Sequence, residues 1–153
     1  MGARRRGRIT AFQALYAWDT ADDKEAALKD LFDFSWVEDQ NLENVDFSRL
    51  LIAGTLENIG TIDTMITKHL NNWDFSRLNK TDKALLRLSA YELLFNTTPP
   101  MVVIDEAVDI SKEYGTDDSY RFINGVLDGI YKTIQGSANA GLCGKSSRKG
   151  EIP

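Results

Sequence analysis

Between Thr81 and Phe95 the chain is apolar at nearly every turn. Leu85, Leu86, Leu88, Tyr91, Leu93 and Leu94 leave no stripe wide enough for a solvent-facing side. The segment holds strong helix formers and neither Gly nor Pro, so the pattern predicts a helix. A helix that is apolar almost all round is enclosed by others. Arg87 and Glu92 interrupt it. Two readings of these charges are open: they reach the rim of a core helix, or each holds a neighbouring loop by hydrogen bonds.

The flanking pattern is also helical. Ile9, Phe12 and Tyr16 share one side of a helix over 4–20, with Ala14, Leu15 and Trp18 beside them. Residues 22–45 are acidic and less regular, and Leu28, Leu31, Phe32, Phe34, Trp36 and Val37 predict a short amphipathic helix there. Phe47, Leu51, Ile62, Ile66, Leu70 and Trp73 keep one period across a long helix over 46–73, in which Gly54 and Gly60 allow close approach or a bend. Asn96-Thr97-Thr98-Pro99-Pro100 stops the central helix and starts another over Met101–Tyr114, with Gly115 as its C-terminal cap. Thr116-Asp117-Asp118-Ser119 supplies capping oxygens for a last helix to about Ile134, where Gly125 and Gly129 form a small-residue face. No strand pattern competes. The expected fold is all-α, with six to seven helices over residues 1–135 and a basic, flexible C-terminal tail over 136–153.

Composition adds three limits. A chain of 153 residues with ordinary usage makes one domain, or two small subdomains sharing a core. No apolar run has the length of a membrane span, the arginine-rich start lacks the apolar segment of a signal peptide, and Cys143 is a lone cysteine, so a cytoplasmic protein is expected. The net charge of −5 is unevenly spread. Arg4, Arg5, Arg6 and Arg8 crowd the first turns, whereas acids dominate from Asp19 to Asp46. The helix dipole disfavours cations at an N-terminus, which suggests that these arginines have a job outside folding.

Catalytic chemistry is thin. One His and one Cys exclude a histidine metal cluster and make Cys–His catalysis improbable, so no enzyme activity, cofactor or metal is expected. Gly144-Lys145-Ser146 resembles the end of a phosphate loop, but Asn139 stands at the first glycine and no strand precedes it. His69 shares a flank with Met65 and Trp73, either as a hydrogen-bonded, partly buried histidine or as an aromatic platform for a base.

Several phrases, in order, identify a family. Asp82-Lys83-Ala84-Leu85-Leu86-Arg87-Leu88 with Tyr91-Glu92-Leu93, Ile104-Asp105-Glu106-Ala107-Val108 with Lys112 and Gly115, and Ser119 with Phe122-Ile123-Asn124-Gly125-Val126-Leu127-Asp128 resemble the bacterial transcription antitermination factor NusB family. The opening Arg-Arg-Arg and Ala14-Leu15-Tyr16 fit as well, and the match spans about residues 3–134. The resemblance implies two packed three-helix bundles. It further implies binding of the boxA element of nascent RNA, notably in ribosomal RNA leaders, pairing with the ribosomal protein NusE, and help to the RNA polymerase elongation complex in reading through terminators.

On that reading, Arg4, Arg5, Arg6 and Arg8 meet phosphates with a salt-dependent affinity. Tyr16, His69, Tyr114 and Phe122 are candidate faces for unstacked bases, and Gln13 and Asp118 reach base edges. The resemblance puts His69, Asp118 and Phe122 on the RNA side. Asp118 also acts indirectly, by capping the last helix. Asp82 and Lys83, at an exposed start of the central helix, are expected to face NusE, and Arg87 and Glu92 become internal struts. The chain departs from the family pattern at His69, where a tyrosine is familiar, and at Asp105, where an asparagine is. Two other functions compete: the NusB-like helical domain of an RNA methyltransferase, which needs a following cofactor-binding domain, and a pure protein adaptor.

Overall fold

The helix Lys80–Phe95 runs through the middle of the molecule, and every residue from Asp82 to Leu93 is buried. The computed structural model describes residues 2–33, 42–71 and 73–146. Among them are seven α-helices: α1 (Ala3–Thr20), α2 (Lys24–Asp33), α3 (Leu42–Glu57), α4 (Ile59–Lys68), α5 (Lys80–Phe95), α6 (Pro100–Tyr114) and α7 (Ser119–Ser146), with a 3₁₀ turn at Phe75–Arg77 before α5. No strand occurs among the described residues. The expected contributions of Phe34, Trp36 and Val37 lie outside them, as does the end of the chain after Ser146.

Helix α5 starts where the Asn79 side chain accepts the Asp82 N–H at 2.7 Å, and it ends before the Pro99-Pro100 pair, whose second member opens α6. Leu85, Leu86 and Leu88 are at most 1 % exposed, and burying each stabilises the fold by about 1.5–3 kcal/mol. Helix α5 packs on α1, α3, α4, α6 and α7. Helices α1 and α3 pack on each other as well as on α5, and so do α6 and α7, so α5 is common to two groups.

Arg87 and Glu92 are struts to neighbouring helices. Arg87 makes a two-pronged pair with Asp63 of α4, both bonds 2.9 Å, and lies 3.4 Å from Asp19 of α1. Glu92 accepts two bonds from Arg8 of α1, at 2.7 and 2.9 Å.

Three expectations change. The run over 46–73 is two helices, divided at Asn58, whose side-chain amide and backbone N–H both bond the Gly54 carbonyl. Gly54 itself is a close approach: a Cβ there would stand 2.2 Å from the Tyr91 ring, whereas one on Gly60 would meet open space. Gly129 packs on His69, but a Cβ on Gly125 would meet nothing, so only one of the pair makes a tight contact. Finally, α7 continues past Ile134 to Ser146.

The arginine-rich start also has a structural explanation. No acid lies in the first turn of α1, so its cations are balanced from elsewhere in the chain. Arg5 pairs with Glu106 and, at 2.7 Å, with Asp109, both on α6. The bond to Glu106, helped by Asp109, raises the Arg5 pKa against the opposing effect of burial. Two of the four arginines therefore hold helices together.

Candidate nucleic-acid interface

The 3₁₀ turn, the start of α5 and the start of α7 surround an open cleft of about 280 Å³. Local sequence builds each wall. Asn71 takes a left-handed conformation, φ 44°, which asparagine tolerates, just before Trp73. Asp74 caps the turn by accepting from Ser76 N–H at 3.0 Å, and the turn carries Arg77 at the cleft. Across from it, Gly115 ends α6 in an extended conformation. A Cβ there would stand 2.7 Å from the Ser111 carbonyl and 2.6 Å from Ser119 Cβ, so the α6–α7 corner requires glycine. The Ser119 hydroxyl accepts the Thr116 N–H at 3.0 Å and is hydrogen-bonded to the Thr116 hydroxyl at 3.1 Å. That hydroxyl, rather than the Asp118 carboxylate, pins the loop.

Two aromatic rings mark the mouth. Trp73 is 64 % exposed, and its ring lies against Phe122 with centroids 5.9 Å apart, tilted by 58°. Arg77 and Asp118 are exposed beside them. Asp82 also lines the cleft, and it is buried. Its Oδ2 accepts from Asn79 Nδ2 at 3.1 Å, while Oδ1 is enclosed without a hydrogen-bond partner. Burial pushes the Asp82 carboxyl above its usual range. The nearby Ser119 hydroxyl and Asn79 offset part of that shift, although Ser119 does not align as a hydrogen bond to Oδ1.

The residues expected to face RNA fall into separate groups. Phe122 and Asp118 meet at the cleft. His69 is half-buried against α7, with Nδ1 2.9 Å from the Met65 carbonyl and Nε2 2.9 Å from Thr133 Oγ1. Both ring nitrogens are thus engaged within the chain. Gln13 and Tyr16 are exposed on α1. Tyr114, 39 % exposed, packs on Phe12 at 5.5 Å; burial, then Glu113, raises its pKa. Arg4 and Arg6 are exposed, and the Arg4 guanidinium sits 4.2 Å from the centre of the Phe47 ring. Arg8 is buried on Glu92 and turned away from solvent.

Asp82 and Lys83 are the clear corrections. Both were expected at an exposed start of α5, yet only 7 % and 6 % of their surfaces are accessible. The 3₁₀ turn covers Lys83, whose Nζ lies 4.9 Å from the centre of the Phe75 ring, while Asp82 is enclosed beside Asn79 and Ser119. Burial lowers the Lys83 pKa, with Asp19 opposing that fall. Trp73 and Arg77 join the site only in the structure. Trp73 keeps the apolar period of α4 and so reads as core, and the one local turn signal before it, Asn71, falls inside that period.

The NusB family profile matches residues 5–132. The chain belongs to the NusB family. A transcription antitermination protein NusB of Treponema denticola is 50 % identical over 131 residues, covering 83 % of this chain and 94 % of the relative. The Treponema pallidum (strain Nichols) protein is 53 % identical over 134 residues, covering 85 % and 93 %. Among solved structures, T. maritima NusB is 39 % identical with a TM-score of 0.72, covering 84 % of this chain and 90 % of that one. A crystal structure of antitermination factors NusB and NusE in complex with dsRNA matches at 31 % identity and a TM-score of 0.73, covering 86 % and 97 %. The all-α fold of this chain is that of the NusB family.

Proposed function

We propose that this chain is a transcription antitermination factor that binds boxA RNA in nascent transcripts, notably ribosomal RNA leaders. It acts with NusE on the RNA polymerase elongation complex, in the cytoplasm, and catalyses no reaction. Family membership supports the role, and a solved relative of the same fold sits in a complex with NusE and dsRNA. No helix among the described residues is long and apolar enough to cross a membrane.

The observation that carries RNA binding is the Trp73–Phe122 pair at the mouth of the cleft, Trp73 exposed and Phe122 half-buried, with Arg77 beside it. Aromatic faces of this kind take unstacked bases, which a single strand offers and a duplex does not. In this reading Trp73, Phe122 and Asp118 contact bases. Arg4, Arg6 and Arg77 meet phosphates, and Gln13, Tyr16 and Tyr114 extend the path along α1 and α6. His69 supports α7, while Arg5 and Arg8 position α1. Lys83 supports the 3₁₀ turn through its contact with Phe75, and Asp82 moves to the RNA side.

Fluorescence anisotropy of labelled boxA RNA, titrated with the protein in the presence and absence of NusE, tests the proposal. Weak binding alone and tighter binding of the pair are expected, with a scrambled strand weaker. Equal binding of boxA and scrambled RNA in both titrations would overturn it.

A further inference from the structure

Resting on the RNA reading above, we propose that the cleft between the 3₁₀ turn and α7 is a reading pocket for one guanine base, with Asp82 as the residue that selects it. The argument starts from an imbalance. Asp82 is buried, yet its carboxylate has too few donors: Asn79 supplies one bond to Oδ2, and Oδ1 has no hydrogen-bond partner. The single Ser119 proton is contested by Thr116 Oγ1. A buried acceptor left short of donors is costly, and a ligand that brings donors removes the cost.

The volume and the walls narrow the choice. About 280 Å³ is small for a ligand site and suits a single base rather than a dinucleotide. Trp73 and Phe122 offer ring faces at the entrance, and Arg77 offers a cation for the adjoining phosphate. Among the four RNA bases only guanine presents two neighbouring donors, N1–H and the N2 amino group, on its Watson–Crick edge. Uracil sets a carbonyl on each side of its one N–H. Adenine and cytosine each pair an amino donor with a ring-nitrogen acceptor that repels the second carboxylate oxygen. Guanine entering the cleft gives its two donors to the Asp82 carboxylate, with Asn79 and Ser119 shifting aside to open Oδ1.

The test uses the full chain with NusE and a short oligouridine carrying one internal guanosine. Parallel strands carry inosine, adenosine, cytidine or uridine at that position. The single odd base sets the register, so boxA itself is not needed. Binding of the guanosine strand roughly tenfold tighter than the adenosine, cytidine and uridine strands is expected, in line with a two-donor base contact. Inosine, which lacks the 2-amino group, should fall between. In Asp82→Asn the preference should drop to about onefold, whereas Asp117→Asn, at an exposed loop carboxylate outside the cleft lining, should keep it. Equal affinity for all strands, equal affinity for inosine and guanosine, or a preference that survives Asp82→Asn would each overturn the assignment. The comparison among strands in the unaltered protein needs no variant to fold. Failure of every strand, together with failure of boxA in the titration above, would instead sink the RNA reading itself.

Discussion

Arg8 and Glu92 show how a charge that looks placed for a ligand belongs to the fold. Their exposures are 5 % and 1 %, and two bonds join them. Removing one partner of such a buried pair strands the other, at a cost of about 3–5 kcal/mol. Arg8→Ala should therefore lower stability by about that much in denaturant melts, while Arg4→Ala, which loses a surface cation–ring contact, should cost about 1 kcal/mol or less. An unchanged melt for Arg8→Ala with lost RNA binding would return Arg8 to the interface. Asp82 behaves in the opposite sense. Its folded pKa is raised, chiefly by burial, so its contribution to stability is full below the unfolded pKa and is lost as the pH rises through the folded one. Asp19 differs: burial opposes its ionisation, but the Lys80 bond and the Arg87 and Lys83 charges outweigh that and lower its pKa. It therefore stabilises at neutral pH and stops doing so in acid. Asp82→Asn should leave the melting temperature at neutral pH unchanged or higher and remove the gain on acidification. A marked drop at pH 7 would show that the carboxylate stabilises α5 there, against this account.

At the scale of elements, the contact between α3 and α5 is the most demanding. Gly54 lets Tyr91 lie where a Cβ would be 2.2 Å away. Gly54→Ala should cost about 1–3 kcal/mol by forcing the ring off its position. Gly60→Ala, in open space within α4, should instead stabilise by up to about 1 kcal/mol. Chemical denaturation of the two variants checks both signs, and a loss in each would remove the distinction. The same helices show what sequence can reveal. Helix α5 was legible because its apolar density, caps and flanking prolines are all local signals. The division at Asn58 was not, because the apolar period continues across it and the break depends on one side-chain amide taking the Gly54 carbonyl. The balance of the α1 arginines was hidden for another reason: Glu92, Glu106 and Asp109 lie far along the chain and meet them only after packing. Phe122 and Asp118 could be named from family phrases, whereas Trp73 was masked by a period that suited a core residue.

For the whole molecule, the question is how a chain of net charge −5 holds a polyanion. Cations already paired with carboxylates cannot each release a counterion, so Arg5, Arg8 and Arg87 contribute little to salt dependence. Arg4 and Arg77 are exposed, as is Arg121, whose Nε donates to the Tyr120 hydroxyl at 2.9 Å. Arg77→Ala and Arg4→Ala should each flatten the slope of log affinity against log salt by roughly 0.7, the value for one phosphate contact on a single strand. Trp73→Ala should behave differently. Stacking on an aromatic face contributes about 1–3 kcal/mol per base and releases no counterion, so affinity should fall by a similar factor at every salt concentration while the slope holds. Titrations over a salt series separate the two effects. A slope that changes in Trp73→Ala but not in Arg77→Ala would place the RNA backbone away from the cleft. The expected pattern would locate recognition at the rings and attraction at the rim, which is how an acidic protein can select one strand without holding all of them.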